Sequence, residues 1–320
     1  MRVWQFMLTA VWLLVSTPLL PGAETEATAP STPSGTALAA QPAKTTAERG
    51  LPLSADRLGG GDSLITNSMV VCVVVALGLI VFAQVATRKM DEVPTGAQNF
   101  WEWLVEGLHD FLESVMGREL VGKTFWFLAT IFIFILFTNW FGLLPGVGTV
   151  GWGVPGEHGF EVTHPLLRGG NADLNMTFAM SSIFMVLWLV WALQINGIKG
   201  FLLHLFGPKG ENSGALRYFM ILVFFAVGLL ECLSIAFRPI SLSFRLFGNI
   251  FAGENLLEAM SNTIQHPAWA RALFSVVLPI PFYFLELLVG LVQALVFMLL
   301  TAVFTALICT HEDEPGKASH

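Results

Sequence analysis

A cationic side chain lies within an apolar part of the chain that is long enough to enter a membrane. The stretch 241–254, SLSFRLFGNIFAGE, carries Arg245 and follows a continuous apolar run. An arginine at membrane depth is costly and by default marks a functional site. On a helix, Ser241, Gly248 and Ala252 share the face of Arg245 and surround the guanidinium with small side chains. This pattern predicts a contact surface where the carboxylate of a partner helix meets the cation.

Acidic and amide side chains occur in the same apolar part of the chain. Glu254 follows Arg245 by nine residues, which places it half a turn off that face and about 13 Å along the axis, so it is not the partner of Arg245. Glu286 and Gln293 lie seven residues apart on one helix face. Carboxylates in apolar helices persist only when protonated, paired or hydrated. Glu254 and Glu286 are therefore predicted to line a polar, water-accessible route.

Packing roles for the same side chains stay open at this point. Arg245 can snorkel to the membrane interface or pair with an internal carboxylate. Gln293 can serve as a hydrogen-bond anchor between helices, and Glu286 as a buried polar group that is satisfied locally.

The elements that position these residues are predicted from composition. The 320 residues are 54% hydrophobic and only 12% charged, with a mean hydropathy of +0.68. Five apolar segments reach the ~20 residues needed to cross a bilayer as a helix. They lie near 65–87, 123–144, 174–197, 219–264 and 271–310. The sequence thus predicts an all-α polytopic membrane protein with about five membrane-crossing helices.

The last two apolar segments and the stretch between the first two spans do not fit a single helix that crosses the membrane perpendicular to its plane. A helix of forty residues would measure roughly 60 Å, twice the hydrocarbon thickness, so each of the last two segments either breaks or lies strongly tilted. Pro239, Pro279 and Pro281 allow bends there. Between the first two spans, 96–117 places apolar residues at helical spacing with acidic residues between them, which predicts one amphipathic surface helix.

The remaining segments predict the topology. Residues 1–23 have the layout of a secretory signal peptide, with an uncleaved anchor helix as the alternative. Residues 24–62 are predicted to be a flexible extracytoplasmic arm. Residues 63–314 form the predicted membrane domain, and 315–320 a cytoplasmic tail. Lysines and arginines concentrate in alternate loops, which by the positive-inside rule predicts an N-terminus outside and a C-terminus in the cytoplasm.

The stretch 238–257, RPISLSFRLFGNIFAGENLL, closely resembles the signature of subunit a of the rotary F-type ATP synthase. Further similarity lies in ADLNMTFAM at 172–180 and in LLVGLVQALVFMLLTAVF at 287–304. The resemblance covers roughly residues 63 to 314. It implies the family's membrane fold, whose two long tilted helices pack against a ring of c subunits. It also implies the b-subunit stator, other subunits of the synthase and the lipid bilayer as partners, without nucleic acid.

The resemblance implies roles for individual residues. The family's essential arginine falls on Arg245, its channel asparagine on Asn249 and its channel acid on Glu254. Its glutamine falls on Gln293, and Glu286 occupies a position where some members have histidine. Three positions match weaker channel-lining sites of the family, where ordinary polar packing is nearly as plausible. They are Glu231, Ser234 and Asp173, with Ser241 added from the face of Arg245.

The implied function is ion translocation, with a proton or a sodium ion as the coupling ion. An ion would enter past Glu254, Glu286 and Asn249 to neutralise a carboxylate on the c ring, and Arg245 would later favour its ionised form. By this resemblance the chain is a non-catalytic subunit with no cofactor or metal. The signal-peptide layout favours a bacterial inner membrane over that of an organelle. The chain contains no HExxH, GxSxG or P-loop sequence, which disfavours a membrane enzyme. A stand-alone ion-coupled transporter is the main alternative, and a structural anchor would not explain Arg245.

Overall fold

The computed structural model describes residues 55–58, 65–88, 90–144, 147, 150–156, 159–206, 215–261, 263 and 267–309. The predicted signal peptide and cytoplasmic tail lie outside these residues, as does the predicted arm apart from 55–58. The helices are α1 Asn67–Thr87, α2 Gly96–Met116, α3 Arg118–Gly142, α4 Leu174–Phe206, α5 Ala215–Ser261, α6 Ala268–Val277 and α7 Pro279–Cys309. The strands are β1 Gly151–Gly156 and β2 Gly159–Pro165, and a 3-10 turn spans Gly170–Ala172.

Five of the helical stretches are long and apolar enough to cross a bilayer. They are Asn67–Thr87, Arg118–Gly142, Leu174–Leu203, Leu222–Ser261 and Leu273–Ile308. This confirms the predicted all-α polytopic membrane fold. The second span begins earlier than predicted, because α3 already starts at Arg118, five residues before the predicted start at residue 123.

The two ends of the bundle are marked by hydrogen bonds between distant segments. The Asn67 side chain at the start of α1 donates to the Pro165 carbonyl at the end of β2, over 3.1 Å. We call this the hairpin end; α1, α4 and α7 begin there, whereas α3 and α5 end there. At the opposite end, Asn196 Nδ2 of α4 donates to the Ile308 carbonyl of α7 over 2.7 Å. These contacts fix how the helices are aligned along the bundle axis.

Helix α3 forms the centre of the bundle. It is apolar around its whole circumference, and its fully buried side chains include Leu128 and Ile135. A helix that is apolar all round is stable when other helices or lipid cover every face. Helix α3 packs mainly against α7, while α4 packs mainly against α5 and also contacts α7. Helix α7 therefore connects the central helix to the pair formed by α4 and α5.

Helix α2 confirms the predicted amphipathic surface helix. Leu108, Leu112 and Met116 are buried against the bundle, while acidic side chains on the other face are exposed or partly exposed. Gly117 follows with φ of +79°, a conformation that side chains rarely adopt. The chain therefore turns sharply into α3 without an intervening loop.

The two long segments differ in how they are built. Helix α5 runs through 47 residues with Pro239 inside it, which corresponds to roughly 70 Å. The last segment is divided at Leu278 into α6 and α7. Helix α4 also contains a break, since Gly197 adopts the non-helical values φ 67° and ψ 167°. The sequence predicts that each of the two over-long segments either breaks into two helices or lies strongly tilted. The last segment is divided, whereas α5 is not.

A β-hairpin follows α3 and is a feature that the sequence reading missed. Strands β1 and β2 pair antiparallel from Gly151 with Pro165 to Gly156 with Gly159, and the register shifts between Trp152 and Gly153. The strands are rich in glycine and alternate only weakly between apolar and polar residues, so the period-two signal of a strand is faint. The hairpin brings the segment after β2 back onto the bundle, and that segment reaches the candidate site.

Candidate functional site

The face of α5 that carries Arg245 points away from the bundle. Ser241, Arg245, Asn249 and Ala252 are all exposed, and Gly248 between them is half-buried. Within the part of the chain that the structure describes, Arg245 makes no hydrogen bond and no salt bridge. The small-residue face predicted from the helical spacing is therefore present, and it is open to whatever lies beside the subunit.

The surroundings of this polar face are strongly apolar. Exposed side chains of the same helix include Phe237, Ile240 and Phe244. Such side chains are compatible with lipid, whereas an unpaired guanidinium is not. The arrangement therefore defines a narrow polar patch on a hydrophobic surface.

Glu254 points to the other side of α5, into the hairpin end of the bundle. A Cβ atom on Gly142 would lie 3.7 Å from its Oε1, and a Cβ atom on Gly169 would overlap the same oxygen. The carboxylate thus rests against the bare backbone of α3 and of the segment after β2. Arg245 is about 13 Å away along the axis, so the structure separates the two charges as the spacing predicts.

Glu286 of α7 occupies the neighbouring position. A Cβ atom on Gly253 would overlap its carboxyl group, so Glu286 packs directly against the residue that precedes Glu254. Glu286 is only 4% exposed, and its Oε1 is buried without a hydrogen-bond partner in the described residues. The structure therefore brings the two predicted glutamates together at the contact between α5 and α7.

A chain of amide groups holds α7 in this position. Asn139 of α3 donates to the Gly290 carbonyl over 3.0 Å, and Trp140 donates to the Leu287 carbonyl over 3.2 Å. Asn171 of the 3-10 turn in turn donates to Asn139 Oδ1 over 2.6 Å. The bonds from Asn139 and Trp140 reach carbonyl groups within the first turn after Glu286, so they fix the height of its carboxyl group in the bundle.

Gln293 and Asp173, two further residues predicted for the site, lie apart from the glutamate pair. Gln293 is half-buried on α7. Asp173 is buried and accepts hydrogen bonds from Ser68 Oγ over 2.7 Å and from the Asn175 amide over 3.1 Å. It joins α1 to the first turn of α4, which agrees with the packing alternative for this residue.

Glu231 and Ser234, which lie nearer the opposite end of the bundle, have different environments. Glu231 is half-buried and interacts electrostatically with Arg238, whose guanidinium lies 4.3 Å from the centre of the Phe304 ring. Ser234 is exposed. Glu231 thus has a cationic neighbour on its own helix, one that the sequence reading did not consider.

The structure adds residues to the site that the sequence reading missed. Arg168 is buried with 4% exposure and acts electrostatically on Glu254. Gly169 and Gly253 leave room for the two carboxyl groups. The only sequence signal was the pair of glycines at 169 and 170, and nothing in the local pattern tells which helix they approach.

The fold and the site define the class of protein. It is a polytopic helical membrane protein that carries an isolated arginine on an outward face and a carboxylate pair inside one end of its bundle. Comparison with known proteins identifies the family. The family model for the ATP synthase A chain matches residues 68–306.

Curated relatives agree with this match. ATP synthase subunit a of Gloeobacter violaceus is 31% identical over 78% of this chain and 85% of its own length. The corresponding subunits of Desulfotalea psychrophila and Syntrophobacter fumaroxidans are 32% and 30% identical, over 71% and 77% of this chain and 78% and 85% of their own lengths. The chain belongs to the ATP synthase subunit a family. It is therefore a multi-pass membrane component of an ATP synthase and associates with other subunits of that complex.

Proposed function

We propose that the chain conducts protons between the two sides of a bacterial inner membrane and couples their flow to the rotation of a ring of c subunits. On its own it is non-catalytic; ATP is made elsewhere in the complex. The exposed polar patch around Arg245 carries this proposal, because a permanent cation on the lipid-facing side of a helix needs a mobile or fixed anion beside it. A carboxylate of the ring supplies that anion.

Two half-channels lead to the patch in this mechanism. On the hairpin side, Glu254 and Glu286 pass a proton towards Asn249 and the ring carboxylate. Buried polar atoms without a protein partner in the described residues surround this route, namely Asn67 Oδ1, Thr138 Oγ1, Asn171 Oδ1 and Glu286 Oε1. Such atoms favour a hydrated passage, since buried polar groups are otherwise paired. Gln293 assists on α7, and Asp173, just before α4, supports the route through its hydrogen bond with Ser68 of α1.

Each step follows from the cost of burying charge. A neutralised ring carboxyl group can rotate into lipid, whereas an anion would be far more costly there. When the group returns, Arg245 favours its ionised form and the proton leaves towards the opposite end, past Ser241, Ser234 and Glu231. A guanidinium does not deprotonate in proteins, so Arg245 separates the two routes without conducting protons itself. Each charge that crosses gains about 2.3 kcal/mol per 100 mV of membrane potential.

The topology is part of the same proposal. The hairpin end faces outward, and the C-terminus lies in the cytoplasm. Helices α5 and α7 are tilted, because α5 is much longer than the hydrocarbon layer, which is about 30 Å thick. The c-subunit ring covers the exposed face of α5, and the b-subunit stator contacts the subunit elsewhere.

The first experiment compares proton flux through the wild-type complex, stripped of its catalytic head in vesicles, with that of Arg245→Ala. Arg118→Ala, an exposed arginine at the start of α3, is the matched control. We expect Arg245→Ala to lose passive flux or to uncouple it from rotation, while the control conducts normally. Unchanged and still coupled flux in Arg245→Ala would instead favour a stand-alone transporter.

A further inference from the structure

A second arginine lies next to the glutamate pair, and the mechanism above does not use it. Arg168 sits in the segment between β2 and the 3-10 turn, and it is 4% exposed. A buried cation is strongly destabilising unless anions and hydrogen bonds compensate for it. Its position therefore requires a nearby anion.

The backbone geometry points to Glu254 as that anion. Gly169, the next residue after Arg168, contacts the Glu254 carboxylate so closely that a Cβ atom would overlap Oε1. Gly142 of α3 lies against the same oxygen and against Gly169, with its own Cβ position 3.3 Å from the Gly169 Cα. The segment that carries Arg168 is thus pressed between α3 and the carboxylate of α5.

Among the residues that the structure describes, Arg168 is the cation that acts on Glu254. The other charged groups that act on it there are Glu286 and Glu258. Glu286 comes from α7 and Glu258 from the next turn of α5, and both are acidic. Arg245 lies two and a half turns away on the exposed face, so it does not balance this cluster.

We propose that Arg168 is the fixed counter-charge of the Glu254 and Glu286 pair and positions it as a relay that holds one exchangeable proton. This inference rests on the proposed function. Two adjacent buried carboxylates cannot both be ionised without a cation, and they titrate as a pair. With Arg168 beside them, one carboxyl group keeps a proton while the other is anionic. A proton that arrives from the hairpin side neutralises the anion, and the pair then passes one proton on to the ring carboxylate.

The glycines support a positioning role for Arg168. Because Gly253 and Gly169 have no side chain, the carboxyl groups of Glu286 and Glu254 can approach their backbones closely. The two glutamates thus enter one region of the bundle from different helices. Arg168 acts through these carboxyl groups. It does not carry the proton, because a guanidinium keeps its charge at physiological pH.

The test measures ATP synthesis by the whole complex in proteoliposomes while the pH on the hairpin side is varied. Removing a positive charge favours the neutral form of neighbouring carboxyl groups, so Arg168→Gln should move the midpoint of the profile by about one unit to higher pH. Arg168→Lys keeps the charge and should retain the wild-type midpoint. Arg57→Gln, an exposed arginine at the same end, should also leave it unchanged. A wild-type midpoint in Arg168→Gln would overturn the proposal.

A second variant decides the case in which Arg168→Gln fails to assemble. The double variant Arg168→Gln with Glu254→Gln removes both charges, so assembly should return if the two groups compensate each other. A double variant that still fails to assemble would show that Arg168 only supports the fold, and it would overturn the proposal. Arg245→Ala in the same vesicles reports on the proposed function separately: coupled transport there would end that function, whatever the Arg168 profile shows.

Discussion

Helices α3 and α5 are both apolar enough to cross a membrane, yet they meet their surroundings in opposite ways. In the most apolar window of α3, 67% of the residues are buried inside the subunit, whereas in that of α5 only 6% are buried. Hydropathy therefore does not tell which helix forms the core. What distinguishes α5 is the polar patch around Arg245 on its open face, which lipid alone does not satisfy.

The difference in burial suggests that α3 and α5 have different roles. Helix α3 holds the bundle together and anchors α7 through Asn139 and Trp140. Helix α5 leaves one face open and turns the other, through Glu254, to the interior. Substitutions in α3 should therefore act on stability, and substitutions on the open face of α5 should act on transport.

The largest expected effect comes from a matched pair of leucines. Leu128 of α3 is fully buried, whereas Leu229 of α5 is 60% exposed. Leu128→Ala leaves a cavity and should cost about 2–5 kcal/mol, while Leu229→Ala should cost less than about 0.5 kcal/mol. Thermal unfolding of the purified subunit in detergent measures both. Equal losses would contradict the assignment of α3 as the core helix.

The second effect concerns function on the open face. Arg245→Lys keeps the positive charge but loses the planar guanidinium and its fixed set of donors. We expect ATP synthesis to fall by roughly 10²-fold, the effect of a displacement of about 1 Å at a reacting group. The amount of assembled complex, measured on native gels, should stay at the wild-type level. A loss of assembly equal to the loss of synthesis would make Arg245 a structural residue like those of α3.

The open face of α5 was accessible to prediction because its signal is local. Ser241, Arg245, Gly248 and Ala252 recur at intervals of three or four residues, and helical geometry alone puts them on one side. The five spans follow in the same way from the length of their apolar runs. Both patterns depend only on residues that are close in the sequence, so they can be recognised without the tertiary fold.

The inner part of the site depends on contacts between distant segments. Arg168 is 86 residues before Glu254, and it arrives there only because a hairpin returns the chain to the bundle. The site also needs glycine at 142, 169 and 253, because another element approaches the backbone closely there. No periodic pattern in the sequence reveals such an approach. The carboxylate pair could be proposed from residue type, but its counter-charge could not.

A third effect tests whether a partner covers the small-residue face. A Cβ atom on Gly248 meets no described atom within 4 Å, so Gly248→Ala should raise the stability of the isolated subunit by up to about 1 kcal/mol through helix propensity. Against a closely packed ring the added methyl group should instead weaken association by about 1–3 kcal/mol. Co-purification of the ring with the subunit measures this loss.

Gly78 of α1 provides the control, since it is exposed and a Cβ atom there is equally unobstructed. Gly78→Ala should give the same gain in stability and no loss of ring association. Normal association in Gly248→Ala would mean that lipid, or a partner at a greater distance, covers this face.

The smallest effect concerns the bond that ties α5 to the bundle. Ser243 is fully buried and its hydroxyl lies 3.0 Å from Thr177 Oγ1 of α4, whereas Ser241 is exposed on the patch. Ser243→Ala should lower the free energy of unfolding by about 0.6 kcal/mol, the average for hydrogen bonds between membrane helices. Ser241→Ala should leave it unchanged in the isolated subunit. Thermal unfolding of the two variants side by side measures the difference. An equal loss in both would show that the patch of α5 already has contacts within the subunit, and the contrast with α3 would then be smaller than the burial of the two helices indicates.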